Sequence, residues 1–151
     1  MRSLVEDVAR FHDKIGYAET WGRGFTASVL KRRLSYIEEE ATEVREAMLN
    51  AIALLDNGLV ANEDAAVRNV VQELVDLAYV VTGTFLELGI DPEPAWQAVH
   101  AANMQKEAAP GGGKAVKPEG WQPPLIPVMP LNITGIDGPS RDLQEPLAAS
   151  P

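Results

Sequence analysis

Five acidic residues in two short patterns are the part of this sequence most able to do chemistry: Glu39, Glu40 and Glu43 form EExxE, and Glu73 and Asp76 form ExxD. On a helix, residues three or four apart are neighbours, with Cβ atoms about 5–6 Å apart. Each pattern is therefore a cluster on one side of its helix, and two such helices packed antiparallel bring the clusters together. Carboxylates crowded at the edge of a core disfavour ionisation through both burial and like charge, so the arrangement calls for a cation. An all-oxygen donor set, in a chain without cysteine, selects a hard ion: Mg²⁺, with Mn²⁺ as its substitute. Glutamate is also a good helix former, so the run EEEATEVRE taken alone describes a solvated helix face. The second cluster turns the balance toward a site, and Glu38 and Glu46 are assigned to solvent.

The elements that must position these residues follow from apolar spacing. Ser3 and Glu6 stand at capping-box distance, and Leu4, Val8, Phe11 and Ile15 recur at steps of four and three, predicting a first helix that ends near Gly16. Between Gly16 and Thr26 lie Trp21, Gly22, Gly24 and Phe25, too many glycines for a helix, so this segment is a loop. Leu30, Leu34, Ile37, Ala41, Val44, Met48 and Leu55 share one face of a long second helix that Asn57-Gly58 stops. Asn62 caps a third, whose face carries Val67, Val71, Leu74, Ala78, Val81, Phe85 and Leu88 and which Gly89 ends. Asp91 and Pro92 open a fourth, through Trp96, Val99 and Met104. Tyr79 and Gly83 are packing positions, the glycine permitting close approach.

The fold class expected is all-α, a four-helix bundle with an extended C-terminal tail. Residues 1–109 make the helical catalytic domain, 110–136 a loop and tail packing on the bundle or a partner, and 137–151 a disordered end. No strand pattern stands out. The long apolar second and third helices leave a face to bury, which predicts a symmetric homodimer.

The chain has 151 residues and a formal net charge of −9, enough for one core and repulsive to duplex nucleic acid and anionic membrane. No basic patch offsets it, so neither partner is expected. The opening MRSLVEDVARFHDKIG carries charges where a signal peptide needs an apolar run, and a cytoplasmic protein is expected. A polyphosphate substrate would be repelled as well, unless cations bridge it to the acids.

The series of EExxE, ELVDLAYVVTG from Glu73, GID from Gly89, HAANMQK from His100 and GKAVKPEGWQPP from Gly113 resembles the MazG-like all-α nucleoside triphosphate pyrophosphohydrolases, over residues 4–128. The resemblance implies Mg²⁺-dependent hydrolysis of a (d)NTP to the monophosphate and pyrophosphate. It makes Glu39, Glu40, Glu43, Glu73 and Asp76 the metal and catalytic set, one glutamate serving as general base. Asn103 and Lys106 would then meet a sugar hydroxyl and a phosphate, and Lys114 and Lys117 would close over the phosphates. Arg33, two turns before Glu40, is a further phosphate partner, with a salt bridge to a nearby glutamate as the plain alternative. His100 is assigned a packed structural role, and Trp21, Phe25 and Trp121 either stack a base or lie buried.

Within this chemistry the substrate expected is dUTP or another pyrimidine deoxynucleotide, in nucleotide-pool house-cleaning. Phosphoribosyl-ATP hydrolysis is the alternative. A non-enzymatic helical interaction module is the alternative from another class, and it leaves the two matched acidic clusters unexplained.

Overall fold

Thr26 opens the longest helix of the chain: its hydroxyl accepts from the Val29 amide at 3.3 Å, a cap contributing about 1 kcal/mol. The computed structural model covers residues 4–59 and 63–132. The caps expected at Ser3 and Asn62, the tail from 133 and the disorder expected over 137–151 lie outside those residues. The described helices are α1 (Leu4–Lys14), α2 (Ala27–Asp56), α3 (Glu63–Leu88) and α4 (Pro92–Met104), with one 3-10 turn at Tyr17–Thr20. The class is all-α.

Local chemistry sets the other helix ends too. At the close of α2, Gly58 takes φ +67°, its amide donates to the Leu55 carbonyl and the Leu59 amide to the Leu54 carbonyl, both at 3.0 Å. These bonds satisfy carbonyls that a helix end orphans, and glycine adopts the left-handed turn without a Cβ penalty. Asp91 caps α4 by accepting from the Glu93 amide at 3.0 Å, with Pro92 following it as expected.

The described residues up to Gly89 form one compact unit, and Ile90–Asn132 form a second. In the first, α2 and α3 make an antiparallel hairpin and α1 lies on α3. The α3 face turned toward α2 is offset by one position from the apolar stripe read in the sequence. Val67, Val71 and Leu74 of that stripe are exposed, Val67 by 54%, whereas Val70, Glu73, Val80, Gly83 and Glu87 are half-buried or buried. On α2, Leu34, Met48, Ile52 and Leu55 are likewise exposed, and Val29, Arg33 and Ala47 are buried. Both helices carry apolar residues on two sides, and a count of apolar positions passes over the polar and small residues that line the inner seam.

Gly83 is a tightly packed point of α3. A Cβ there would stand 2.9 Å from Cε1 and Nε2 of His12 and 3.1 Å from Nη2 of Arg33. The close approach expected at this glycine is thus one of side chains from α1 and α2. Tyr79, the other expected packing position, meets Phe11 edge-on at 5.6 Å between ring centroids.

In the second unit, Ile90–Asp91 (β1) pairs antiparallel with Met129–Pro130 (β2), Ile90 facing Pro130. Strands of two residues have no periodicity to read, which is why the sequence shows none. Leu125, Val128 and Met129 are exposed, and the pairing ties this stretch of the tail back to the residues just before α4. No helix among the described residues is long and apolar enough to cross a membrane.

Gly83→Ala is expected to lower stability by about 1–3 kcal/mol, the usual cost of overpacking, and urea denaturation followed by circular dichroism checks it. A parental midpoint would show that the seam has room to give.

Candidate active site

The α2–α3 seam brings Glu40, Glu73 and Asp76 together, one carboxylate oxygen of each lying within 4.8 Å of the others and each residue half-buried. Glu39 and Glu43 are exposed on the same helix as Glu40. Burial first, then the charges of Glu43, Asp76, Glu39 and Glu73, raise the Glu40 pKa above the ordinary carboxylate value. Glu73 is raised as well, by loss of solvent first and then by Glu43 and Asp76. The acids named from the sequence therefore act on one another as a single electrostatic cluster. Three carboxylates converging within ligand distance, with no nitrogen or sulfur donor among them, fit a hard divalent cation.

Arg33 is placed elsewhere. It is 4% exposed, its Nε donates to Thr84 Oγ1 at 3.0 Å, its Nη2 donates to the Val80 carbonyl, and Nη1 stands 3.5 Å from the Glu87 carboxylate. Glu87, 1% exposed, also takes Arg32 at 2.6 Å. Arg33 is committed to groups of its own chain, and its salt bridge is to Glu87 rather than to a glutamate of EEEATEVRE. His12, buried beside it, accepts the Trp21 indole N–H through Nδ1 at 3.2 Å. Burial and then the Arg33 charge lower the His12 pKa, against a smaller opposing effect of Glu87.

Neither His12 nor Glu87 was singled out in the sequence. The available signals were positional: Glu87 lies one turn past Gly83 on the face that carries Asp76, and His12 lies one turn past Val8 on α1. His100, expected to be packed, is exposed. Phe25 is 73% exposed, and Trp21 is half-buried against His12.

Asn103, Lys106 and Lys117 belong to the second unit, where they gather around Trp121. Lys106 Nζ donates to Asn103 Oδ1 at 2.7 Å, and both lysines approach the indole face. Lys114 is exposed in the glycine loop.

The sequence profile of the phosphoribosyl-ATP pyrophosphohydrolase family matches residues 8–103. The chain belongs to that family. It is accordingly a MazG-like all-α nucleotide pyrophosphohydrolase, a hydrolase of acid anhydrides, and the interaction-module alternative is set aside. A comparison with curated proteins gave no match. The phosphoribosyl-ATP pyrophosphohydrolase match spans all five acids and Asn103, while Lys106, Lys114, Lys117 and Trp121 lie beyond it. It favours the phosphoribosyl-ATP alternative over the expected pyrimidine deoxynucleotide.

A carboxyl whose pKa folding raises stabilises the folded state below the unfolded value, and that contribution is lost as pH rises through the folded value. In EDTA at pH 7, Glu40→Gln and Glu73→Gln are therefore expected to melt at or above the parent, with the gain shrinking toward about pH 4. Glu38→Gln, on the exposed side of α2, should stay within about ±0.5 kcal/mol of the parent. Calorimetry across this range reads all three, and clearly lower melting of both amide variants at pH 7 contradicts the crowding.

Proposed function

We propose that this enzyme hydrolyses the bond between the α- and β-phosphates of phosphoribosyl-ATP, releasing pyrophosphate and the corresponding monophosphate. The convergence of Glu40, Glu73 and Asp76 within the family-matched stretch carries the reading. These three carboxylates would hold Mg²⁺ or Mn²⁺, with Glu39 and Glu43 completing the acidic set; an ion held there would offset phosphate charge and supply Lewis acidity. A glutamate of the set takes the proton of the attacking water as oxygen joins the α-phosphorus and the bridging bond to the β-phosphate breaks. Asn103, Lys106, Lys114 and Lys117 supply, within the second unit, an amide and ammonium groups of the kind that a sugar hydroxyl and phosphate oxygens take, in a chain whose charge of −9 otherwise repels the substrate.

The working molecule is a homodimer in this reading. Leu34, Ile52 and Leu55 on α2 and Val67, Val71 and Val75 on α3 are each exposed by half or more, an apolar surface of the kind that a second copy covers. Light scattering on the same preparation reads the assembly.

Phosphoribosyl-ATP, dUTP and the common NTPs are compared in ¹⁸O water. With phosphoribosyl-ATP and Mg²⁺ the label is expected in the monophosphate, EDTA abolishes turnover, and Glu40→Gln, Glu73→Gln or Asp76→Asn lowers kcat by roughly a hundredfold or more. Label in pyrophosphate, release of orthophosphate, or full activity in EDTA contradicts the mechanism. Preferential hydrolysis of dUTP would instead restore the pyrimidine reading.

A further inference from the structure

Lys106 and Lys117 flank a backbone pair. The Glu107 amide donates to the Val116 carbonyl and the Val116 amide to the Glu107 carbonyl, both at 2.9 Å. In an antiparallel pairing the residue before one partner faces the residue after the other, so Lys106 stands across from Lys117 on one side of the pair. The chain between them turns through Gly111, Gly112 and Gly113, with φ of 85°, 87° and 102°, values that cost glycine little.

Like charges set directly across a strand pair repel. Among the described residues neither lysine forms an ion pair with a carboxylate, although the chain is strongly acidic. What meets them is an aromatic face: Lys106 Nζ is 5.8 Å and Lys117 Nζ 4.4 Å from the Trp121 ring centroid. The indole is itself fixed, because its N–H donates to the carbonyl of Ala102 at 3.2 Å. Lys106 is further held by Asn103. A cation over an indole is attracted by the ring quadrupole, yet it keeps donors free for an anion.

We propose that Trp121 is a positioning residue that sets Lys106 and Lys117 side by side as a receptor for a diphosphate group. The paired ammonium charges match an anion with two adjacent phosphoryl groups better than a single phosphate. The inference deepens the pyrophosphohydrolase reading and rests on it only for the source of that group, the pyrophosphate portion of the nucleotide. The receptor itself stands on the geometry of the second unit alone.

The test uses the full-length protein in EDTA with inorganic pyrophosphate as the probe, read by NMR of the lysine ε-methylene groups and by calorimetry. In the parent, the Lys106 and Lys117 signals lie upfield of free lysine through the ring current, and both move as pyrophosphate binds. Trp121→Leu returns them to free-lysine positions and weakens pyrophosphate binding roughly fivefold or more. Trp121→Phe, which keeps an aromatic face but loses the donor to Ala102, falls between the parent and Trp121→Leu in both respects, and Trp121→Leu raises the KM for nucleotide with kcat nearly unchanged. If Trp121→Leu does not fold, Lys117→Met serves in its place, weakening pyrophosphate while the Lys106 signal stays upfield. Unshifted lysine signals in the parent, or parental affinity in the variant that is used, overturns the proposal. Pyrophosphate binding as described in a chain that hydrolyses no nucleotide would uphold the receptor and overturn the enzymatic reading instead.

Discussion

Everything in the first unit turns on how charge is neutralised along the seam between α2 and α3. At one end Arg33 and Arg32 meet Glu87, so a buried carboxylate is compensated inside the chain. Two turns along α2, Glu40 meets Glu73 and Asp76 with no basic side chain in the cluster. Groups taken out of water need opposite charge or they lose their ionisation. The seam supplies that charge at the first place and withholds it at the second, which leaves the carboxylates of the second crowded against one another.

The compensated end also fixes where the uncompensated end stands. Arg33 reaches the Val80 carbonyl and Thr84 on α3, and Gly83 leaves space for His12 of α1 over the same turn. His12 in turn accepts from Trp21, which ties the loop after α1 to the helical pair. One buried polar knot therefore sets the register of α2 on α3, and register decides whether Glu40 comes opposite Glu73 and Asp76. Apolar burial is sparse by comparison: among the described residues the buried apolar side chains are Val8, Ala9, Val29, Ala47, Leu86 and Ala102.

The ends of the helices were legible because they depend on short-range chemistry. Asp91-Pro92 and Asn57-Gly58 each act over one turn, and the structure places both helix ends there. The acidic cluster was legible because ligand spacing on a helix is local too. The inner face of α3 is offset by one position from the stripe read in the sequence, since apolar residues occur on both sides and Glu73, Gly83 and Glu87 interrupt Val70 and Val80 on the inner one. Partners far apart in sequence, such as Arg33 with Glu87 or Trp21 with His12, leave no local trace. The same holds for the pairing of Ile90–Asp91 with Met129–Pro130, which depends on where the tail returns. The role given to Arg33 came from its distance to Glu40 along the helix, and that distance says nothing about which neighbour α3 presents.

Whether a hard cation sits among the half-buried carboxylates is read by locating the ion itself. Crystals of the protein grown with Mn²⁺ would be measured at a wavelength where manganese scatters anomalously. An anomalous peak is expected between the carboxylates of Glu40, Glu73 and Asp76. A fully occupied peak elsewhere in the protein, with none between those three side chains, would contradict it.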